Sequence, residues 1–583
     1  MKSIINKING ALLIVFLLMG CDDSALDLNP LAEVSSETWF LSDQEVETSL
    51  NYLFDIRFWN PNPDPLYFEG GGWLDSFSDD WANRNSVTSV TGGTINGQTS
   101  YVEDWWSIYY KGISAANRLL ENLDSPKYEI TEDKLNLYKA NARFVRASMY
   151  SKLIFYWGDV PYIDSTLSID EAFAIGRIDK MDVLKNIYAD YDYAVSILPE
   201  TYSGTQYATK GAALAMKSRI ALYMEDWVAA RDAAKACMDL TQYGLYPDFE
   251  ELFQSKTQNS SESVFSIAQS VSLGSWQEGD YMRPENARHV SPRSNGGNMF
   301  VWPSWDLFNS FLCEDGLPID ESPLYNPQRP FDNRDPRCTA TIIEFGTPHG
   351  GTIYQPHPDS LQTTNYLTGE RVLNSDSRGV IQWASFNGIG WKKGYDSDWF
   401  DDFNVAPEHH VIRYADVLLI YAEAMIELNE IDASVLEAIN RVRARAYKVD
   451  HTQTSDYPAL TSTDQSQLRR SLRIERRMEF AWEGLRHADI VRWRLAEKVL
   501  NTKNYGMIDP PEQRIKIIEP GLWFFPETPP IDEDGVTDFT SMFNKGYIKI
   551  LTERYFDKNV HYLWPIPSKE ILINPNMKQN PGY

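Results

Sequence analysis

Apolar residues recur at helical spacing over most of this chain, in segments cut by breaks rich in glycine, proline and asparagine. The pattern predicts helices over 43–57, 102–122, 131–157 and 179–198. Gly158-Asp159-Val160-Pro161 places a glycine and then a proline just past the third of these, the usual stop signal. Segments 210–224 and 227–240 read as two helices joined by a tight Glu225-Asp226 turn. A looser echo occupies 415–428 and 434–447 around Asn429-Glu430, and a last pair spans 465–483 and 487–499. Residues 66–101 are irregular, and 255–408 read as loops and small hairpins with short strand-like runs such as 263–267 and 339–344. Trp305 precedes an expected helix at 306–312 and reads as core.

Ala212, Ala215, Ala221, Ala230, Ala233 and Ala234 sit where small residues let paired helices approach closely, so 210–240 resembles a tetratricopeptide-type hairpin. No strict period of ~34 residues runs through the chain, which argues for scattered hairpins rather than a regular array. The expectation is a mostly α protein. Its helical base takes in 36–60, 102–254 and 409–500, and loop-rich insertions occupy 61–101, 255–408 and 501–583.

The N-terminus follows another logic. Lys2 and Lys7 precede the apolar run 11–19, which is shorter than the ~20 residues that cross a bilayer. This is the layout of a secretory signal, residues 1–20, ending at Leu18-Met19-Gly20-Cys21. That ending resembles a bacterial lipobox, which makes Cys21 a lipidated N-terminus and 21–35 a tether; more than one acyl chain makes such an anchor stable.

The formal charge is −28, and −30 once Lys2 and Lys7 leave with the signal. Such a surface disfavours nucleic acid, which needs clustered Lys and Arg, and weighs less strongly against a highly sulfated ligand. Beyond Cys21 only Cys237, Cys313 and Cys338 remain, with no zinc pattern. Cys237 reads as a small core residue, and whether Cys313 and Cys338 pair stays open. The His409-His410 pair lacks metal-ligand spacing. The unusual count is 18 Trp beside 32 Tyr and 26 Phe, several of the Trp lying among Gly, Asn, Asp and Pro in segments unfit for core helices. That composition hints at a binding surface.

Segment 469–494 carries eight Arg against four acids. Arg476 and Glu479, Glu483 and Arg486, and Asp489 and Arg492 stand at helical i, i+3 spacing, so the segment reads as scaffold rather than a phosphate site. Its string Ile474-Glu475-Arg476-Arg477-Met478-Glu479-Phe480-Ala481-Trp482-Glu483-Gly484-Leu485-Arg486-His487-Ala488-Asp489-Ile490-Val491-Arg492-Trp493 resembles the signature of the SusD/RagB family. Four other marks of that family occur in order. They are Ala115-Ala116-Asn117-Arg118-Leu119-Leu120-Glu121; Ala142-Arg143-Phe144-Val145-Arg146-Ala147 through Gly158-Asp159-Val160-Pro161; Ile412-Arg413-Tyr414-Ala415-Asp416 through Ala424; and Leu563-Trp564-Pro565-Ile566-Pro567 through Gln579-Asn580-Pro581-Gly582-Tyr583. The resemblance covers essentially the whole mature chain.

The resemblance implies a SusD-like fold and a lipoprotein on the outer face of the outer membrane, with Asp22-Asp23 as an export signal. It also implies a TonB-dependent (SusC-like) transporter barrel as partner, over which the protein sits as a lid and captures oligosaccharides. Some relatives capture peptides instead, which is the alternative reading. No catalytic motif such as GxSxG, HExxH or a P-loop is present, so a non-enzyme is expected and a secreted glycoside hydrolase ranks last.

Sugars offer C–H faces to aromatic rings and hydroxyls to Asp, Asn and Arg. On that chemistry the early loop contributes Trp73, Asp79, Asp80, Trp81, Arg84 and Tyr101 as candidate glycan contacts. A second segment, 276–302, adds Trp276, Tyr281, Arg283 and Trp302; a third, 383–399, adds Trp391, with Lys392, Tyr395 and Asp398 nearby. No cofactor is expected. Structural calcium at Asp79-Asp80 or 398–402 is a lesser alternative, because neither has EF-hand spacing.

Overall fold

The structure, a computed structural model, describes residues 39–60, 74–203, 207–270, 284–396, 399, 403 and 405–583. Cys21, Trp73, Trp276, Tyr281, Arg283 and the acids of 398–402 lie outside the described residues.

The fold is mostly α, as the periodicity predicts. Helices α1 (Asp43–Tyr52), α2 (Ser100–Asp124), α3 (Glu132–Trp157) and α4 (Lys180–Ile197) are followed by α5 (Lys210–Tyr223) and α6 (Trp227–Met238). After the long insertion come α7 (Tyr414–Glu427), α8 (Ala433–Ala446), α9 (Gln465–Phe480) and α10 (Arg486–Arg492). From α2 to α6 each helix packs on the next, and α6 packs directly on α7 across the insertion. Both hairpin turns use a left-handed residue, Glu225 (φ 61°) and Asn429 (φ 57°), and Asp226 and Asp432 then cap α6 and α8. Ala212, Ala215, Ala221, Ala230, Ala233 and Ala234 are all buried, as expected of a close helix pair.

Local chemistry sets the boundaries. Gly158, at φ 74°, ends α3 where a side chain would be strained. The α9 helix stops at Phe480 rather than 483, because Trp482 (φ 66°) and Gly484 (φ 75°) turn the chain left-handed. The helix expected over 487–499 breaks at Arg494 (φ 57°) into α10 and a short turn, Ala496–Val499. The strand expected at 339–344 is instead largely a short helix, Arg337–Thr341, started by Pro336 and held by Arg337 ion pairs. All strand pairs are small and antiparallel: β1 (Trp81–Ala82) with β3 (Trp302–Pro303), β2 (Ser263–Ile267) with β4 (His409–Arg413), and β5 (Lys503–Met507) with β6 (Ile548–Glu553). Two shorter ladders, Pro348–His349 with Thr352–Ile353 and Gln362–Thr364 with Arg371–Leu373, complete them.

Helices α1 to α8 share one core, and the insertion has its own, built on Trp305, Phe308, Trp391, Phe524 and Phe525; two smaller clusters centre on Ile490, Val499 and Phe556 and on Trp302, Ile343 and Tyr354. Cys237 is a buried thiol in the helical core, and Cys313 and Cys338 are both free and buried. The C-terminal motif folds back on α3: Trp564 packs among Trp105, Tyr156 and Trp157, the Trp157 indole donates to the Pro565 carbonyl at 2.9 Å, and the Asn580 amide donates to the carbonyls of Trp157 and Trp564.

The arginines of the signature bind the two cores together. Glu479 accepts from Arg337 (3.0 Å), Arg413 (2.7 Å) and Arg445; Glu483 accepts from Arg413 (2.7 Å) and Lys393 (2.6 Å). Of the three i, i+3 pairs read from the sequence only Asp489–Arg492 forms, at 2.8 Å. Arg476 turns instead to Asp416 and Asp489, and Arg486 to Asp79. Buried guanidiniums need fully dehydrated carboxylates in fork geometry, which tertiary neighbours supply better than the next helical turn.

Candidate functional site

Three loop segments converge on one face above the insertion core. The early loop enters through the β1–β3 pair, in which Trp81 opposes Pro303 and Ala82 opposes Trp302. Ser304 locks the junction: its N–H donates to the Asp80 carbonyl at 2.9 Å and its hydroxyl to the Asp79 carbonyl at 2.5 Å. The third segment is tied in by Asn387, whose amide donates to the Pro303 carbonyl at 2.7 Å and whose own carbonyl accepts from the Trp305 indole at 2.9 Å.

Of the predicted contacts among the described residues, all but Arg84 are buried. Asp79 and Asp80 are buried and bonded to arginines: Arg477 reaches both, at 2.8 Å and 2.6 Å, and Arg486 grips Asp79 at 2.8 Å. Burial opposes ionisation of Asp79, but the Arg477 and Arg486 guanidiniums outweigh it and hold its carboxyl well below the usual range. These two acids are occupied in anchoring the early loop to α9 and α10, and are not arranged as a calcium site. Among the described residues no group of three or more His, Cys, Asp or Glu side chains is placed to hold a metal ion. Tyr101 is buried in the helical core against Phe77 and Trp564. Trp81 and Trp391 are buried on either side of half-buried Trp482 in a stack, with centroids 6.4 Å and 4.2 Å from it. Trp302 is buried beneath Phe386, its indole donating to the Met299 carbonyl. None of these six presents a ring or carboxylate to solvent in this structure.

The face carries Arg84, with rings that the sequence did not single out. The Arg84 guanidinium lies 4.2 Å over the ring of Trp383, with Phe300 at 5.8 Å and Phe386 at 5.9 Å. Trp383 is 49% exposed, the largest aromatic side chain left in water among the described residues. Arg378 and Lys549 also approach the Phe386 ring, at 4.2 Å and 5.2 Å, and share the carboxylate of Asp509 at 2.6 Å and 2.8 Å. The arrangement suits a sugar: an open ring for the C–H face, and N–H and carboxylate groups at its edge for hydroxyls. Segment 383–399 was flagged by its tryptophans, but nothing local marks Trp383 as the exposed one and Trp391 as the buried one.

A separate hollow of about 150 Å³ lies between Asp75, Phe253, Lys393, Trp399, His410 and Trp482. Asp75 Oδ2 accepts from the Gly484 N–H at 2.9 Å, while buried Oδ1 has no partner. Burial, with Asp80 nearby, pushes the Asp75 carboxyl up to about 7, and burial pulls the Lys393 ammonium down to about 8 despite Glu483. The folded Asp75 holds its proton to higher pH than the unfolded one, so its contribution to stability is full below about pH 4 and is lost as pH rises towards 7. Asp75→Asn, which keeps an acceptor for Gly484, is expected to remove this slope. Urea unfolding at pH 5 and pH 7.5 should show the wild type losing on the order of 1–4 kcal/mol more than the variant over that interval. Parallel losses would mean that Asp75 ionises normally.

The scaffold defined by these observations is a helical, tetratricopeptide-like base bearing a loop-built aromatic face. A family profile described as "SusD family" matches residues 261–583, more than half of the chain, and one described as "Starch-binding associating with outer membrane" matches residues 72–222. The chain belongs to the SusD family. It is 26% identical over 589 residues to "SusD-like protein P2" of Formosa agariphila, covering 98% of each chain. Among solved structures it is similar to a SusD-like carbohydrate-binding protein from Bacteroides fragilis, at 27% identity and a TM-score of 0.74, covering 93% of this chain and 100% of that one. A laminarin-binding SusD-like protein shares the fold at 21% identity and a TM-score of 0.62, covering 93% and 100%.

Proposed function

We propose that this chain is a surface glycan-binding lipoprotein, anchored to the outer membrane through Cys21, which captures oligosaccharide on the Arg84–Trp383 face and passes it to a TonB-dependent transporter. The observation that carries the reading is the half-exposed Trp383 ring, backed by Arg84, on a face that the early loop and the insertion build together. The carbohydrate-binding relatives support it, as does the lipobox. The protein acts by binding, without catalysis. Asp79, Asp80, Trp81, Trp302 and Trp391 serve in this reading as the supports that hold the face in shape, because preorganised loops lose less entropy on binding.

One observation favours peptide capture as a second reading. A cleft of about 440 Å³ is lined by Tyr202, Tyr207 and Tyr243 and by the whole of β2. Among the described residues β2 pairs only with β4, so an extended peptide has a strand edge to add to. Affinity electrophoresis of the mature chain through gels containing a polysaccharide panel, with short peptides tested by calorimetry, separates the two. Retardation by at least one polysaccharide is the expected result; peptide binding with no retardation in any gel would replace the glycan reading.

A further inference from the structure

The whole protein is strongly acidic, with 82 Asp and Glu against 54 Lys and Arg, yet the proposed glycan face reverses that balance. Arg84, Arg378 and Lys549 all lie within 6 Å of the one Phe386 ring. Asp509 is the carboxylate that answers them, and it is already shared by Arg378 and Lys549. Among the described residues no carboxylate lies within ion-pair distance of Arg84. This sets it apart from the signature arginines Arg476, Arg477 and Arg486, each of which has one or more. Arg293 stands close by: burial lowers its pKa, the Asp376 carboxylate offsets part of this and the charge on Arg84 adds to it, and its Nε is buried without a partner. The nearest acid there, Asp376, already accepts from the backbone N–H groups of Arg293 (2.7 Å) and Ser294 (3.1 Å).

A neutral sugar does not require this. Rings, amides, carboxylates and a single guanidinium suffice for C–H faces and hydroxyls, and a cluster of cations partly withdrawn from water carries a desolvation cost that ring contacts offset only in part. The guanidinium carbon lies 4.2 Å over the Trp383 ring, and among the described residues no carboxylate takes up its N–H fork, the geometry that meets a carboxylate or sulfate through two parallel bonds.

We infer that this face takes an anionic glycan, whose sugar rings carry carboxylate or sulfate groups, with Arg84 as the residue that reads the charge. The inference rests on the proposal that the face is the glycan site. It also refines the reading from net charge. A surface at −28 repels polyanions in general, so an anionic polymer held by this protein is held by a local site rather than by background attraction.

Affinity electrophoresis against laminarin as a neutral glucan, alginate as a polyuronate and carrageenan as a sulfated galactan tests it, at low and moderate salt. Stronger retention by alginate or by carrageenan than by laminarin is expected, weakening with salt, and which of the two prevails tells carboxylate from sulfate. Arg84→Gln should reduce that retention by about tenfold or more, and Arg84→Lys, which keeps the charge but loses the fork, by less. Both variants should keep the wild-type melting temperature, because Arg84 is partly exposed and outside both cores. Laminarin retention equal to or above the anionic polymers, or an anionic preference unchanged in Arg84→Gln, would overturn the inference and leave the glycan reading standing. No retention by any polysaccharide would end both.

Discussion

Glu479→Ala is expected to destabilise the fold by about 3–5 kcal/mol. Glu479 is fully buried and accepts from Arg337, Arg413 and Arg445. Around it Arg337, Arg413, Arg443, Arg445 and Lys393 are balanced by Asp335, Glu262, Glu475, Glu479 and Glu483, five cations against five carboxylates. Removing one acid leaves five cations against four carboxylates in a space closed to water; Arg337, Arg413 and Arg445 each keep another carboxylate, but the excess positive charge they share has no cheap route to deprotonation. Glu437→Ala, on an exposed position of α8, should change stability by no more than about 0.5 kcal/mol. Chemical denaturation of both variants gives the comparison. A loss below about 1 kcal/mol at Glu479 would mean that the network relaxes or admits water. Burial opposes ionisation of Glu479, but Arg445, Arg413 and Arg337 outweigh it and hold its pKa far below that of free glutamate. Its contribution is therefore present above the unfolded pKa and is lost as pH falls through the folded one, so acid unfolding should set in below about pH 4.

Trp383→Ala should weaken glycan binding by about 10- to 100-fold while leaving the melting temperature unchanged. An indole platform buries one face against a sugar ring, and a ring of that size is worth about 1.5–3 kcal/mol. Trp383 is half in water and belongs to neither core, so its removal leaves no cavity. Trp391→Ala should do the opposite: it removes the buried partner of Trp482 and costs about 3–5 kcal/mol of stability. Calorimetric titration of the glycan that retards the wild type, paired with thermal melts of both variants, distinguishes them. Unchanged affinity in Trp383→Ala would remove this face from consideration.

The helices and their stops were legible because each depends on a run of neighbours. Apolar spacing draws α2 and α3, Gly158 ends α3, and the alanines of α5 and α6 announce a close pair. Left-handed turns were harder to read. Trp482 and Arg494 carry side chains that disfavour positive φ, and tertiary packing holds them there, so two predicted helices ended early. The Arg-rich segment was legible as scaffold but not in its pairing, because Asp79 and Asp416 lie far from Arg486 and Arg476 along the chain.

By itself the sequence determined the family and the mostly α base, since these follow from local periodicity and from motifs read in order. The tertiary structure decided which aromatic and charged groups meet solvent. Trp81, Trp302, Trp383 and Trp391 sit in similar loop sequence, yet three are buried and one is open. Exposure is a property of what the rest of the chain packs over a residue, and a carboxylate's role depends on which arginine reaches it first. For that reason the aromatic count pointed only to a surface, and it is the packing of three distant loops that leaves Arg84 and Trp383 at the face proposed for it.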